Sequence, residues 1–358
     1  MTALRAMVVG TGALGRHHAR ILAGLSDVEL RAVAEPNEAV GRAVAAAHGA
    51  QWIADCRELL DQIDLAVIAV PTVAHHGLAR ELLSAGIDLF VEKPLTHRAD
   101  QARELVDLSR ATGRILQVGH VERYNPAFLA ARHSVCDPKY IRSERVSPYS
   151  FRSTDIGVVF DMMIHDIDLV LSLVAEPVLA VEAFGVTVMG EHEDVAQARL
   201  RFPGGCIADL SASRVSPVSR RSMQVWSGDG CVQIDFAARE AAVYRPTPTL
   251  LFGTPPVDRA RQPGANIDQL KADVFGTLIE VQKPLAVPRD QLTEELLAFV
   301  ESVRTREPPE VSGEQGLTAV ETAEAILDSI ARHQWDATAH GRVGPLLATG
   351  MPRQKMAG

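Results

Sequence analysis

Cysteine is scarce and scattered. The four thiols, Cys56, Cys136, Cys206 and Cys231, lie far apart and form no C-x-x-C pair. That spacing suits reduced, structural thiols in a reducing compartment. Positive charge is also in deficit, with a net charge of −9. A general nucleic-acid or anionic-membrane surface is therefore excluded, and a phosphate-bearing ligand has to be held locally by a few arginines or backbone amides. No uncharged apolar run approaches the length of a membrane span. The opening "MTALRAMVVG" enters a strand directly, without a long apolar segment or a small-residue cleavage site. Internal repeats are absent too. These absences lead to the expectation of a cytoplasmic protein with no nucleic-acid or membrane partner.

What is present is ordinary for a globular chain: 47% hydrophobic and 23% charged residues. The 358 residues suggest about two domains. From residue 4 to about 120, apolar runs of strand length ("LRAMVV", "VELRAVAE", "LAVIAV", "IDLFVE", "RILQVGH") alternate with helical segments at 14–24, 38–47, 74–85 and 99–111. Continuous apolarity marks strands covered on both faces, and helices between them imply a parallel sheet. The texture then changes. A helix follows Pro126, then a polar loop, "SPYSFRSTD", and a strongly apolar helix, "VVFDMMIHDIDLVLSLV". Residues 180–245 carry hairpin signals, with Pro-Gly-Gly in "ARLRFPGGCIADLSASR" and Gly-Asp-Gly in "MQVWSGDGCVQIDF". A largely antiparallel sheet is expected there, then a long surface loop over 246–264 and two closing helices. Ser312 and Gln315 are placed as a capping box for the second of these.

The fold class expected is α/β: an amino-terminal Rossmann parallel sheet plus a carboxy-terminal α+β domain with a mostly antiparallel sheet. The boundaries read are 1–122, 123–335 and a tail over 336–358.

"VVGTGALGRHHA" contains G-x-G-x-x-G at Gly10, Gly12 and Gly15, with Ala13 and Leu14 inside the turn. The first glycine permits a tight turn, the second lets backbone approach a diphosphate, and the third allows close helix–strand packing. The helix N-terminus adds free N–H groups and a favourable dipole. Glu35, at the end of the second strand, is placed to accept hydrogen bonds from ribose hydroxyls. The following "PNEA" offers no arginine for a 2′-phosphate, and a carboxylate repels one, so NAD is expected over NADP.

Oxidising an alcohol needs a base beside the hydroxyl, and histidine, with an ordinary pKa of about 6.5, suits the task. Among 12 histidines, His165 stands apart in "FDMMIHDID", four residues from Asp161 and so on one face of a regular helix. The pattern alone leaves two readings: a catalytic pair, or a satisfied polar cluster among Met162, Met163, Ile164 and Ile167. A metal held by Asp161, His165 and Asp168 is a further reading, but hydride transfer to nicotinamide requires none, and no metal is expected. His17, His18, His48 and His133 are read as surface residues.

"VEKPLT", the glycine motif and the D-x-x-x-H segment together resemble the Gfo/Idh/MocA family of oxidoreductases. "VPTVAHH" matches that family's proline followed four residues later by histidine, here Pro71 and His75, and "VSGEQGLTAVETAEAI" resembles its closing helix. The resemblance runs over nearly the whole chain. It implies an open sheet that forms a homodimer or homotetramer. It also implies that Glu92, Lys93, Pro71 and His75 line the cofactor site and that Lys93 hydrogen-bonds the reacting hydroxyl. Asp161 would position substrate and His165 would take the proton; the Lys93–Pro94 bond can be cis, which proline tolerates.

For the small-molecule substrate, the stretch "GHVERYNPAF" offers His120, Arg123, Tyr124 and Asn125. The loop "SPYSFRSTDIG" offers Tyr149, Arg152, Ser153, Thr154 and Asp155, and Arg214 lies on a hairpin. Hydroxyls and arginine forks suit a polyol or a phosphate. The wording around these residues resembles the family's nucleotide-sugar 3-dehydrogenases, which implies oxidation of UDP-N-acetylglucosamine at C3. The alternatives are a free polyol dehydrogenase of the myo-inositol kind and a non-catalytic binder of NAD and sugar.

Overall fold

The computed structural model describes residues 3–151, 155–336 and 341–348. The chain begins with Leu4–Val9 (β1), Gly15–Gly24 (α1), Val28–Ala34 (β2), Glu38–His48 (α2) and Gln51–Ile53 (β3). It continues through Leu65–Ile68 (β4), His75–Ser84 (α3), Asp88–Glu92 (β5), Ala99–Thr112 (α4) and Leu116–Gly119 (β6). Next come Pro126–Ala131 (α5), Pro138–Val146 (β7) and Ile164–Val174 (α6). Six strands follow: Ala180–Thr187 (β8), Val195–Arg201 (β9), Ile207–Ser213 (β10), Arg220–Ser227 (β11), Gly230–Asp235 (β12) and Glu240–Pro246 (β13). The last elements are Pro248–Phe252 (α7), Pro256–Ala260 (α8), Ile267–Ala272 (α9), Ile279–Gln282 (β14), Gln291–Thr305 (α10), Gly313–Arg332 (α11) and Leu346–Leu347 (β15). No helix among the described residues is long and apolar enough to cross a membrane.

The chain forms two compact units that interleave in sequence. One takes in the chain up to Tyr124 together with Phe151–Asp168 and Arg289–Asp328; the other holds Asn125–Ser150, Leu169–Pro288 and the chain from Ser329 onward.

The first unit is a six-stranded parallel sheet ordered β3-β2-β1-β4-β5-β6. β4 and β5 are buried at every position, as continuous apolar runs require. The order reverses between β1 and β4, which opens a crevice at the carboxyl ends of these strands. Caps set the helix limits: the Asn37 side chain accepts from the Val40 amide at 3.3 Å, and α2 ends at Gly49 with φ of +68°. α10 packs into this unit's core, where Phe299 meets Phe90 edge-on at 5.9 Å. α11 opens with the expected capping box, Ser312 N–H to Gln315 Oε1 at 3.0 Å and Gln315 N–H to Ser312 Oγ at 3.4 Å.

The second unit is a nine-stranded sheet ordered β14-β13-β12-β11-β7-β10-β9-β8-β15. Its pairs are antiparallel except β7 with β10 and β8 with β15. Alternating burial along β9 and β10 shows one covered face. The surface loop expected over 246–264 is corrected by the structure: it contains α7 and α8, each with proline in its first turn, where a missing N–H costs nothing. β3 went unread because three residues carry no periodicity.

One packing contact offers a test. A Cβ at Gly316 of α11 would stand 2.5 Å from Val118 Cγ2 of β6, whose side chain is fully buried. In an open helix Gly→Ala gains about 0.8–1 kcal/mol. Gly316→Ala is expected to lose stability instead, by about 1–3 kcal/mol through overpacking, as read from the chemical-denaturation midpoint.

Candidate active site

β1 delivers the chain into the turn Gly10–Gly15. Gly10 takes φ of +87°, and a Cβ there would lie 2.7 Å from the Ala69 carbonyl oxygen. At Gly15 a Cβ would collide with the Gly10 carbonyl, so both positions demand glycine for reasons internal to the protein. Gly12 differs: a Cβ there meets nothing within 4 Å. Its space is open at the N-terminus of α1, where unpaired amides and the helix dipole favour an anion.

Beside this turn lies a cavity of about 500 Å³ lined by Gly10, Gly12, Glu35, Arg57, Val70 and Pro71, among others. Glu35 is held in it by the Thr11 amide at 2.9 Å, the Thr11 hydroxyl at 2.9 Å and the Asn37 amide at 3.1 Å. Burial pushes this carboxyl up, but the three donors outweigh burial and hold it below the ordinary glutamate range. An ionised carboxylate so oriented keeps lone pairs for ribose hydroxyls. Arg57, in the same wall, went unread in the sequence. Its guanidinium is already paired with Asp55 at 2.7 Å and Glu81 at 2.7 Å, so it offers little to a 2′-phosphate. The glycine turn and this carboxylate fit a dinucleotide of the NAD type.

Lys93 follows β5, and its bond to Pro94 is cis. Its Nζ donates to the Asp161 backbone carbonyl at 2.6 Å and lies 3.3 Å from Asp161 Oδ1. The lysine and aspartate side chains are 16% and 23% exposed, so the pair is partly desolvated but open to a ligand. Two braces hold the turn. Glu92 accepts from the Lys93 amide at 3.2 Å and hydrogen-bonds His18 Nε2 at 2.7 Å. His75, buried, places one ring nitrogen 2.9 Å from the Pro94 carbonyl and the other 2.9 Å from the Val70 carbonyl. Burial pushes its pKa down, and it braces the cavity wall from behind.

The surface reading of His18 is overturned: its side chain is fully buried. The signal was present, because Gly15, His18, Ala19 and Leu22 share the inward stripe of α1. His17 and His133 are exposed and His48 half-buried.

Asp161 sits in a π-helical turn, Val159–Met163, that leads into α6. Such turns widen the helix and are frequent at functional sites; here the Asp161 carbonyl receives the lysine. Asp161 thus meets Lys93 through both its side chain and its backbone carbonyl. His165 stands edge-on to His120, with ring centroids 6.4 Å apart. Arg123 is buried and bidentate to Asp168, at 2.7 and 3.1 Å. In the second unit, Arg214 lies over the Tyr149 ring at 5.5 Å and donates to Asp194 at 2.7 Å. Arg152, Ser153 and Thr154 lie outside the described residues.

The structure therefore gathers Lys93, Asp161, His165 and the dinucleotide cradle in one unit. Its chemistry is that of a paired ammonium and carboxylate, partly open to solvent, with an imidazole four residues further along the chain.

Two family models match the chain: "Oxidoreductase family, NAD-binding Rossmann fold" over residues 4–120, and "GFO/IDH/MocA C-terminal domain" over residues 99–233. A UDP-N-acetylglucosamine 3-dehydrogenase of Acidithiobacillus ferrooxidans is 31% identical over 80% of this chain and 91% of the relative. A scyllo-inositol 2-dehydrogenase (NAD(+)) of Bacillus subtilis is 30% identical over 60% of this chain and 68% of the relative. Among solved structures, the Acidithiobacillus enzyme superposes with TM-score 0.80 at 28% identity, covering 92% of this chain and 98% of that one. A levoglucosan dehydrogenase solved with NADH and levoglucosan shares the fold, with TM-score 0.76 at 18% identity and coverage of 92% and 97%.

Two results are expected from the cradle. Gly15→Ala loses the folded first unit, whereas Gly12→Ala keeps the native melting temperature and loses NAD affinity at least about tenfold, a shift of some 1.4 kcal/mol on titration. Because the Glu35 pKa is depressed, its carboxylate persists as pH falls past the ordinary glutamate value. Its contribution to stability is complete above the unfolded-chain pKa and is lost only as pH falls through the lower folded one. Thr11→Val, which removes one donor, moves that loss to higher pH in an acid titration of NAD binding.

Proposed function

The chain belongs to the Gfo/Idh/MocA family of oxidoreductases, and we propose that it oxidises the C3 hydroxyl of UDP-N-acetylglucosamine, or of a related nucleotide sugar, to the ketone. The observation that carries this reading is Lys93 Nζ resting on Asp161 in the unit that holds the glycine turn. The 91% coverage of a UDP-N-acetylglucosamine 3-dehydrogenase supports the choice of sugar.

NAD, when bound, supplies the acceptor for the hydride. Gly10, Gly12, Ala13, Leu14 and Gly15 would hold its diphosphate and Glu35 its ribose. Lys93 donates to the reacting hydroxyl oxygen and stabilises the negative charge that develops there as the O–H bond weakens. Asp161 holds the ammonium in place and orients the sugar. His165 receives the hydroxyl proton. Glu92, Pro71 and His75 act by fixing the walls around these groups. Tyr149 and Arg152 are the direct candidates for the rest of the substrate. Arg123 and Arg214, each engaged with a carboxylate, act by ordering their surroundings. The reading extends to a cytoplasmic homodimer or homotetramer built through the nine-stranded sheet. It also places the enzyme in amino-sugar biosynthesis, its keto sugar passing to an aminotransferase.

The inositol-dehydrogenase relative keeps a free cyclic polyol as the second reading. A non-catalytic binder is disfavoured because the sequence retains Lys93, Asp161 and His165.

Purified protein mixed with NAD is expected to form NADH with UDP-N-acetylglucosamine; formation with inositol alone would transfer the assignment to the polyol. Lys93→Ala is expected to lower kcat by about 10²–10⁴-fold while NAD affinity stays within about twofold. Turnover that survives this change contradicts the role given to Lys93.

A further inference from the structure

The first unit contains buried polar groups that hydride transfer does not use. Glu295, on α10, is fully buried, and neither carboxyl oxygen has a hydrogen-bond partner among the described residues. His120, just past β6, is 1% exposed, and both of its ring nitrogens share that condition, as do Tyr124 Oη and Gln117 Oε1. Gln117 Nε2 donates to the Glu295 backbone carbonyl at 3.0 Å, which ties α10 to β6 at this point. The His120 and His165 rings stand nearly perpendicular, with centroids 6.4 Å apart.

Each buried polar atom left unsatisfied costs about 1–3 kcal/mol. An internal water molecule can satisfy two to four such groups at once. A carboxyl group here has no donor to stabilise its charge. Burial first, then the Glu92 and Asp168 carboxylates facing it, push its pKa well above the ordinary range, so it carries a proton. His120 moves the other way. Burial lowers its pKa, with Arg123 and Lys93 adding to that and Asp168 and Glu92 opposing it. Burial also keeps the Tyr124 phenol protonated, and that phenol senses both Glu295 and the exposed Glu310. A neutral acid and a neutral imidazole can each give and take a proton, which a charged pair cannot do at comparable cost.

We propose that His120 and Glu295, bridged by internal water, carry the proton received by His165 to the surface beside Glu310. This rests on the reading that His165 takes the hydroxyl proton. As the sugar C–H hydride leaves for NAD, the O–H bond breaks and its proton moves to His165. His165, whose ring lies 6.4 Å from that of His120, passes a proton to it through internal water. His120 hands one through water to Glu295, whose own carboxyl proton leaves past Tyr124 and Glu310 to solvent. Every relay group ends the turnover as it began, and one proton is released per NADH formed. The substrate side of the site need not open for the proton to leave.

Glu295→Gln keeps the size and neutrality of the group but removes its exchangeable carboxyl proton. The NAD-loaded enzyme is mixed with UDP-N-acetylglucosamine, or with whichever sugar reduces NAD, in stopped flow with a pH-indicator dye. In the unaltered enzyme, proton release is expected to coincide with NADH formation. In Glu295→Gln and in His120→Asn it is expected to lag by about tenfold or more, and added imidazole or formate should close the gap. Release that stays concurrent in both variants overturns the path. A second arm needs no sugar: the NAD-loaded enzyme at neutral pH should show the infrared band of a protonated carboxyl that Glu295→Gln removes. If that band is missing, the proposal fails even where the sugar assignment stands; if no sugar reduces NAD but the band is present, the function reading alone falls.

Discussion

The ammonium group of Lys93 lying on Asp161 is the contact that the rest of the site serves. A charged amine at 16% exposure is costly to leave without a partner. Asp161 supplies two acceptors, one from its side chain and one from a backbone carbonyl in the widened π turn. The cis Lys93–Pro94 peptide, the Glu92–His18 bond and the His75 brace all fix the turn that carries the lysine. Because His18 belongs to α1, the helix that begins at the phosphate cradle, the cofactor end and the reacting end are tied through one buried hydrogen bond. Loss of that bond would leave Glu92 Oε1 without its partner in the interior, while Oε2 keeps the Lys93 amide.

Two kinds of buried ionisable group coexist here. Arg123 is bidentate to Asp168, and Asp194 accepts from Arg214 as well as from the Val188 and Met189 amides. They order the chain and leave few groups over for a ligand. Glu295 and His120 are the opposite case: buried, without such partners among the described residues, and so placed where water and protons are useful. Sorting buried polar groups this way separates scaffold from machinery more sharply than residue type does.

Much of this was legible in the sequence, and the gaps have physical causes. β1, β4 and β5 were readable because strands covered on both faces are continuously apolar, and the start of α11 followed from the Ser312–Gln315 capping box. The prolines of 246–264 were misread as loop formers, although Pro248 and Pro256 open short helices. Lys93 was legible as a charge at the mouth of a buried strand. His18 reads as a surface residue by type, although it shares the buried stripe of α1 with Gly15, Ala19 and Leu22. Glu295 escaped because a glutamate in "TEELLAFVESVR" reads as a wet helix face, although it shares a buried stripe with Phe299 and Ser302. The π turn at Asp161 had no sequence signal to announce it.

The most direct measurement of the central claim follows the hydrogen at C3. UDP-N-acetylglucosamine carrying deuterium on that carbon is incubated with enzyme and NAD, and both products are weighed by mass spectrometry. If Lys93, Asp161 and His165 act on the C3 hydroxyl, the deuterium appears on the nicotinamide ring and the sugar product, now a ketone, has lost it. Deuterium retained in the sugar while NADH forms would contradict the account, since hydride would then have left a different carbon.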